Sequence, residues 1–158
     1  VTRPIVVGVD PGPVPGVALI SQFCTVDVLQ VSPDTLLPIV RALVDTAAMT
    51  DRQTHAVLAV EKFVVGRRAT RSATPKAGEL VRNQVGALEA LAGELRIPVF
   101  LRSASDVKPW ASDARLESVG AYVSGMPHGR DAARHALFCS VHDAGFPDPL
   151  SSRSPRGA

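Results

Sequence analysis

The 158-residue chain reads as an α/β protein with one mixed sheet between helical layers. Two observations carry that reading. Three short strand patterns open the chain, after which helix and strand patterns alternate to the end. The first and fourth strand patterns, "IVVGVD" and "AVLAVE", are near-continuous apolar runs that each close on an acid. Such runs suit strands covered on both faces.

The elements follow in order. Residues 5–10 form the first strand, ended by Asp10-Pro11-Gly12. Residues 16–21 and the alternating "CTVDVLQV" of residues 24–31 are the second and third, close enough for an antiparallel meander. Ser32-Pro33-Asp34 starts a helix, and Leu36, Leu37, Ile39, Val40, Leu43 and Val44 give it an apolar face through about Met49. Residues 56–61 are the fourth strand. Residues 67–76 lack apolar periodicity and read as an exposed loop. A long helix is predicted over 78–95, with Leu80, Val81, Val85, Leu88, Leu91 and Leu95 inward. Its Gly86, Ala87, Ala90, Ala92 and Gly93 would let a neighbouring helix approach closely. A fifth strand over 97–101, a shorter helix over 105–123 and a last helix over 129–144 complete the pattern. Residues 1–146 thus form one domain. Residues 147–158, "PDPLSSRSPRGA", read as a flexible tail that cannot offset its ordering entropy. In this order strand one lies centrally with strand four beside it. If the two run parallel, Asp10 and Glu61 end side by side.

Composition narrows the function classes. Hydrophobic residues make up 46% and charged residues 20%, the balance of a soluble globular chain. No apolar stretch approaches the ~20 residues of a membrane span, and the start has no signal-peptide layout. A cytoplasmic protein without a membrane partner is expected. Cys24 and Cys139 form no CxxC pair, which argues against zinc and fits buried thiols in a reducing compartment. Net charge is only +2, but Arg67, Arg68, Arg71, Lys76 and Arg82 cluster around a single acid, Glu79. That distribution permits a nucleic-acid partner and equally describes a solvated loop.

The carboxylates are more informative together than singly. Asp10 before Pro-Gly is also an ordinary turn former, and a glutamate can close a strand merely by facing solvent. Here each follows an apolar run and is held near the core, where adjacent carboxylates repel and resist ionising. A divalent cation between them removes the repulsion, and hard Mg²⁺ or Mn²⁺ prefers oxygen ligands. In "MPHGRDAARHALF", His128, Asp131 and His135 fall three and four residues apart, so that all share one helix face. Spacing alone makes a metal site plausible, no more.

"IVVGVDPGPVPGVALI", "AVEKF", "GELVRNQVGAL", "SASDVKPW" and "HGRDAARHAL" together resemble the RuvC family of Holliday-junction resolvases, in order and over the chain up to about Ala144. The small-residue, arginine-rich style suggests a phage or high-GC bacterial version. The resemblance implies an RNase H-like fold, its five-stranded sheet made of a three-strand antiparallel meander plus two parallel strands. It implies that Asp10, Glu61 and Asp131 are metal ligands, and it puts His128 where relatives carry aspartate or histidine, with His135 the rival after a register shift. It places Lys108 near the scissile phosphate. Phe63 lies one residue from a base-stacking aromatic of the family, and Arg67, Arg68, Arg71 and Lys76 would rim the site and grip phosphates.

The chemistry so implied is hydrolysis with two Mg²⁺ or Mn²⁺ ions per site, leaving a nick with 5′-phosphate and 3′-hydroxyl ends. A histidine in the fourth position either ligates or acts as general base. Two symmetric cuts on a four-way junction require a homodimer, with the small-residue face of the 78–95 helix as its candidate interface. The same acids would serve a nuclease of flaps, forks or RNA–DNA hybrids, and the fold alone would serve a catalytically silent DNA-binding module. A kinase-like phosphotransferase also opens on Asp near Gly, but needs two such domains, for which 158 residues are too few.

Overall fold

The computed structural model describes residues 3–21, 26–50, 55–63 and 75–151. Five strands, β1 (Ile5–Asp10), β2 (Gly16–Ile20), β3 (Val26–Gln30), β4 (Ala56–Glu61) and β5 (Val99–Arg102), form one sheet in the order β3-β2-β1-β4-β5. β1 pairs antiparallel with β2, and β2 with β3, whereas β4 runs parallel to both β1 and β5. The meander, the central first strand and the parallel fourth are all as expected. β1 is buried along its whole length, which accounts for its unbroken apolar run.

Alternation along the strands sorts side chains into two cores. Val7, Val9, Leu58 and Val60 face helices α1 (Leu36–Thr50) and α2 (Pro75–Leu95), packing with Val40, Val44, Leu88 and Leu91. Val6, Ala18, Ile20, Val57 and Ala59 face α5 (Pro127–His142), meeting Ala132, Ala133, Ala136 and Leu137. Asp10 and Glu61 share the parity of the second set, so both acids project on the α5 side. That face is lined with alanines and glycines because α5 lies very close to the sheet. A Cβ on Gly8 would overlap the Ala132 carbonyl, and one on Gly16 would overlap that of His128.

Several boundaries differ from expectation. α1 is preceded by a 3₁₀ turn, Pro33–Thr35. α2 begins at Pro75, proline suiting the first helical position, so Lys76 belongs to the helix and not to the loop before it. The helix expected over 105–123 is two short ones, α3 (Ala104–Val107) and α4 (Asp113–Ser118). Pro109 has no N–H to continue the first. Ser112 caps the second, its side chain accepting from Arg115 N, and Gly120 at φ 73° ends it. α5 starts and stops two residues earlier than the 129–144 expected. Of the segment expected to be a tail, residues 147–151 are described. There Asp148 takes two hydrogen bonds from the Arg115 guanidinium, at 3.0 and 3.3 Å. Residues 152–158 and Cys24 lie outside the described residues. Cys139 is a free, buried thiol, pushed up to about 12 by burial and by Asp143. No helix among the described residues is long and apolar enough to cross a membrane.

Candidate active site

Three elements deliver the acids. β1 ends on Asp10 and its parallel neighbour β4 on Glu61, one register step beyond the Val9–Val60 pair. α5 crosses the same sheet edge and supplies His128, Asp131 and His135 from its first turns. The N-terminal turn of α5 is pinned by Gln30 at the end of β3, whose Oε1 accepts from His128 N at 3.1 Å and Gly129 N at 3.5 Å. The turn after β1 is pinned from the other layer. Gln84 on α2, only 8% exposed, donates through Nε2 to the Gly12 carbonyl at 3.0 Å, while its buried Oε1 has no partner among the described residues.

Asp10 carries a shifted carboxyl. It is buried, and its carboxyl is pushed up from 3.8 to about 6, chiefly by loss of water and then by the negative charge of Glu61. The hydrogen bond from His128 pulls the other way, and Asp131 adds to the rise. Asp10 of β1 thus feels the charges of Glu61 on β4 and Asp131 on α5.

Both histidines reach carboxylates, but different ones. His128 Nδ1 lies 2.9 Å from Asp10 Oδ2 with its side chain 44% exposed. His135 Nε2 lies 3.2 Å from Glu61 Oε2 and is buried. Lys108, at the end of α3, donates from Nζ to Asp131 Oδ2 at 2.8 Å. Arg134 approaches the other oxygen, Nε to Asp131 Oδ1 at 3.4 Å. Arg134 also reaches Asp113, holding that carboxyl below its ordinary range.

These contacts bear on the expected metal site. Among the described residues, no group of three or more His, Cys, Asp or Glu side chains is arranged to hold a metal ion. The reason is visible in the pairing: Asp10 turns to His128, Glu61 to His135, and Asp131 to Lys108 and Arg134. The donors nonetheless suit a hard cation in kind, since they are carboxylate oxygens and the central one, Asp10, is buried beside a second acid. Ligation would exchange at least some of these contacts.

The remaining expected residues are more scattered. Arg67, Arg68 and Arg71 lie outside the described residues. Lys76 is exposed in the first turn of α2. The Phe63 ring packs against that same turn, 3.7 Å from where a Cβ on Gly78 would stand. On α2 the small residues divide, Ala92 facing the core while Gly86, Ala90 and Gly93 are exposed. Gln30, Gln84 and Arg134 were not among the residues singled out by sequence. Gln84 did carry a signal, as a polar residue in the inward stripe between Val81 and Leu88. Arg134 stands three residues after Asp131.

Comparison with known proteins supports the architecture. No protein-family model and no curated protein matches the chain. Among solved structures, Thermus thermophilus RuvC in complex with a Holliday junction substrate is similar at a TM-score of 0.57 and 18% identity, over 90% of this chain and 98% of that one. A second Thermus thermophilus RuvC structure is similar at a TM-score of 0.56 and 18% identity, over 89% and 97%. The chain has the RNase H-like fold of that protein. At this identity the likeness speaks for the fold alone.

Proposed function

We propose that this chain is a divalent-metal-dependent endonuclease of branched DNA, acting first of all on four-way junctions in recombination and repair. The single observation that carries the reading is the convergence of Asp10, Glu61 and Asp131 from three elements on one sheet edge, with Asp10 pushed up to about 6. The likeness to a RuvC bound to a Holliday junction supports the choice of substrate. Asp10, Glu61 and Asp131 would hold two Mg²⁺ or Mn²⁺ ions, with His128 the candidate for the fourth position. Bound ions would supply the Lewis acidity that activates water and steadies the leaving 3′ oxygen.

The chain's own groups do the rest. In place of ligating, half-exposed His128 can take a proton at the mouth of the site, oriented by Asp10 through Nδ1. Buried His135 suits the task of aiming Glu61 better than that of meeting substrate. Lys108 has an ammonium at the rim that can leave Asp131 for a phosphate oxygen as charge gathers there. Exposed Lys76, with Arg67, Arg68, Arg71 and Phe63, would grip the DNA arms. A homodimer would place two such sites for symmetric cuts, with the exposed Gly86, Ala90 and Gly93 of α2 as its contact.

One observation favours a second reading. Every acid of the group is engaged by a basic or imidazole side chain of the same chain, which is also what a silent DNA-binding module of this fold would tolerate. Incubating the protein with a synthetic four-way junction, a flap and a linear duplex, with and without Mg²⁺ or Mn²⁺, separates the readings. Paired nicks in the junction, only with the divalent ion, are expected. Asp10→Asn and Glu61→Gln should abolish nicking and leave junction binding largely intact. His128→Ala should cost more nicking than His135→Ala when both are measured well below their melting temperatures. Junction binding without nicking under any ion would favour the silent module.

A further inference from the structure

Arg134 follows Asp131 by three residues on α5, and its side chain is 15% exposed. Its guanidinium is divided among three acceptors. Nε donates to Asp131 Oδ1 at 3.4 Å, Nη1 to the Ala111 carbonyl at 2.7 Å and Nη2 to Asp113 Oδ1 at 2.5 Å. Ala111 lies in the connection between α3 and α4, and Asp113 opens α4. That same connection begins beside Lys108, whose Nζ takes the other oxygen of Asp131 at 2.8 Å.

Lys108 stands on a weak base. α3 is four residues long, the chain then passes through turns at residues 108–110, and the lysine side chain is 46% exposed. Buried Val107, Ala111 and Leu116 seat the segment on the α5 side of the molecule. Apolar contacts of that kind fix depth, but they do not fix where an ammonium stands along a helix. Directional hydrogen bonds do: Arg115 gives one from α4, Nη1 to the Trp110 carbonyl at 2.9 Å, and Arg134 gives those that come from the helix that carries Asp131. A planar fork spreads five donors over three nitrogens and so reaches acceptors around its whole edge, whereas lysine carries its three donors on one nitrogen.

We propose that Arg134 is a positioning residue: it fastens the 108–113 segment to α5 and so sets the place of the Lys108 ammonium against Asp131. The inference rests on the nuclease reading for its consequence, though not for its geometry.

Two measurements test it. In the first, nicking of a four-way junction is followed for Arg134→Ala, Arg134→Lys, Lys108→Ala and the Lys108→Ala/Arg134→Ala double variant. Supporting side chains of this kind are worth about 10- to 100-fold in activity, so both Arg134 variants should lose on that order. Junction binding should stay within about twofold, the scatter expected of independent sites. In the Lys108→Ala background, adding Arg134→Ala should cost no more than about twofold, because no ammonium remains to be placed. An Arg134 that merely supports the fold would subtract the same factor in both backgrounds, and that result overturns the proposal. Arg134→Lys keeps the charge and the stem, so Arg134→Lys against the Lys108→Ala/Arg134→Lys double variant makes the same comparison if alanine weakens the fold too far.

The second measurement needs no activity. Amide hydrogen exchange in metal-free protein should quicken over residues 108–113 in either Arg134 variant while α1 and α2 are unchanged. Unaltered exchange there means that the segment is not fastened by Arg134, and the proposal falls. If the wild-type chain never nicks DNA, the nuclease reading fails, and the exchange result alone judges the fastening. If it nicks and the Lys108 and Arg134 effects simply add, the nuclease reading stands and this inference does not.

Discussion

Asp10 is where burial and charge oppose each other most directly. Its carboxyl binds a proton more tightly in the fold than in the unfolded chain, rising from 3.8 to about 6. Ionised Asp10 therefore destabilises the fold. The cost is absent below about pH 3.8, grows between there and about pH 6, and is complete above it. At about 1.36 kcal/mol per pH unit the full cost is on the order of 3 kcal/mol. Asparagine has nearly the same shape, keeps a polar partner for His128 and carries no charge. Asp10→Asn should therefore melt several degrees above the wild-type chain at pH 7.5 in the presence of a chelator, at roughly 2–4 °C per kcal/mol for a chain of this size. The gap should close as the pH falls to about 4. A variant less stable at pH 7.5, or a gap that persists in acid, would contradict the burial argument. Legibility at this scale followed sequence distance. Asp10 and Glu61 were readable because each closes its own apolar run. Gln30, Gln84 and Arg134 matter through partners 98, 72 and 23 residues away, and no local pattern records such pairs.

The decisive element is α5, and its position depends on what is missing from the strands beneath it. Gly16 on β2 faces the His128 carbonyl so closely that any Cβ must displace the first turn of the helix. That turn carries His128 to Asp10. Gly16→Ala should thus cost about 1–3 kcal/mol by overpacking and lower nicking by more than its stability loss explains. Gly86→Ala on α2 is the matched control for packing within one chain, measured at a concentration too low for dimers, since nothing in the chain lies within 4 Å of its new methyl group. There alanine should be neutral or stabilising by up to about 1 kcal/mol through helix propensity. Urea unfolding of both variants checks the pair, and equal costs would show that the contact at Gly16 is not tight. Strands were easier to read than helices for a physical reason. β1 and β4 are buried on both sides and leave little choice of residue. Residues 105–118 read as part of one helix, yet Pro109 and Ser112 divide them into two. α5 starts two residues before the expected position, at Pro127, a proline that suits the first helical position, and Gln30 from a distant strand accepts from its first turn.

At the scale of the whole molecule, the sheet order was legible because three short strands in succession leave a meander as the simplest arrangement, and the later strands must then return parallel through helices. The pairing of each acid with an internal partner was not legible, since it depends on side-chain directions that strand and helix periods do not specify. That pairing leads to a prediction about the fold as a unit. Asp10, Glu61 and Asp131 come from β1, β4 and α5, so an ion held by all of them would tie both ends of the chain together. It would bind the folded state and have no comparable site in the unfolded one. Such a ligand adds stability by mass action, about 2.7 kcal/mol at a concentration one hundred times its dissociation constant. Wild-type protein should therefore melt higher in Mg²⁺ or Mn²⁺ than in Na⁺ of matched ionic strength, by up to about 5–10 °C. Asp10→Asn, which starts out more stable, should gain far less. The two melting temperatures would then approach or cross as the ion is added, a reversal that general salt screening does not produce because the Na⁺ control has the same ionic strength. Equal shifts in the two proteins, or none in the wild type, would mean that the acids are held apart by His128, His135 and Lys108 too firmly to share an ion.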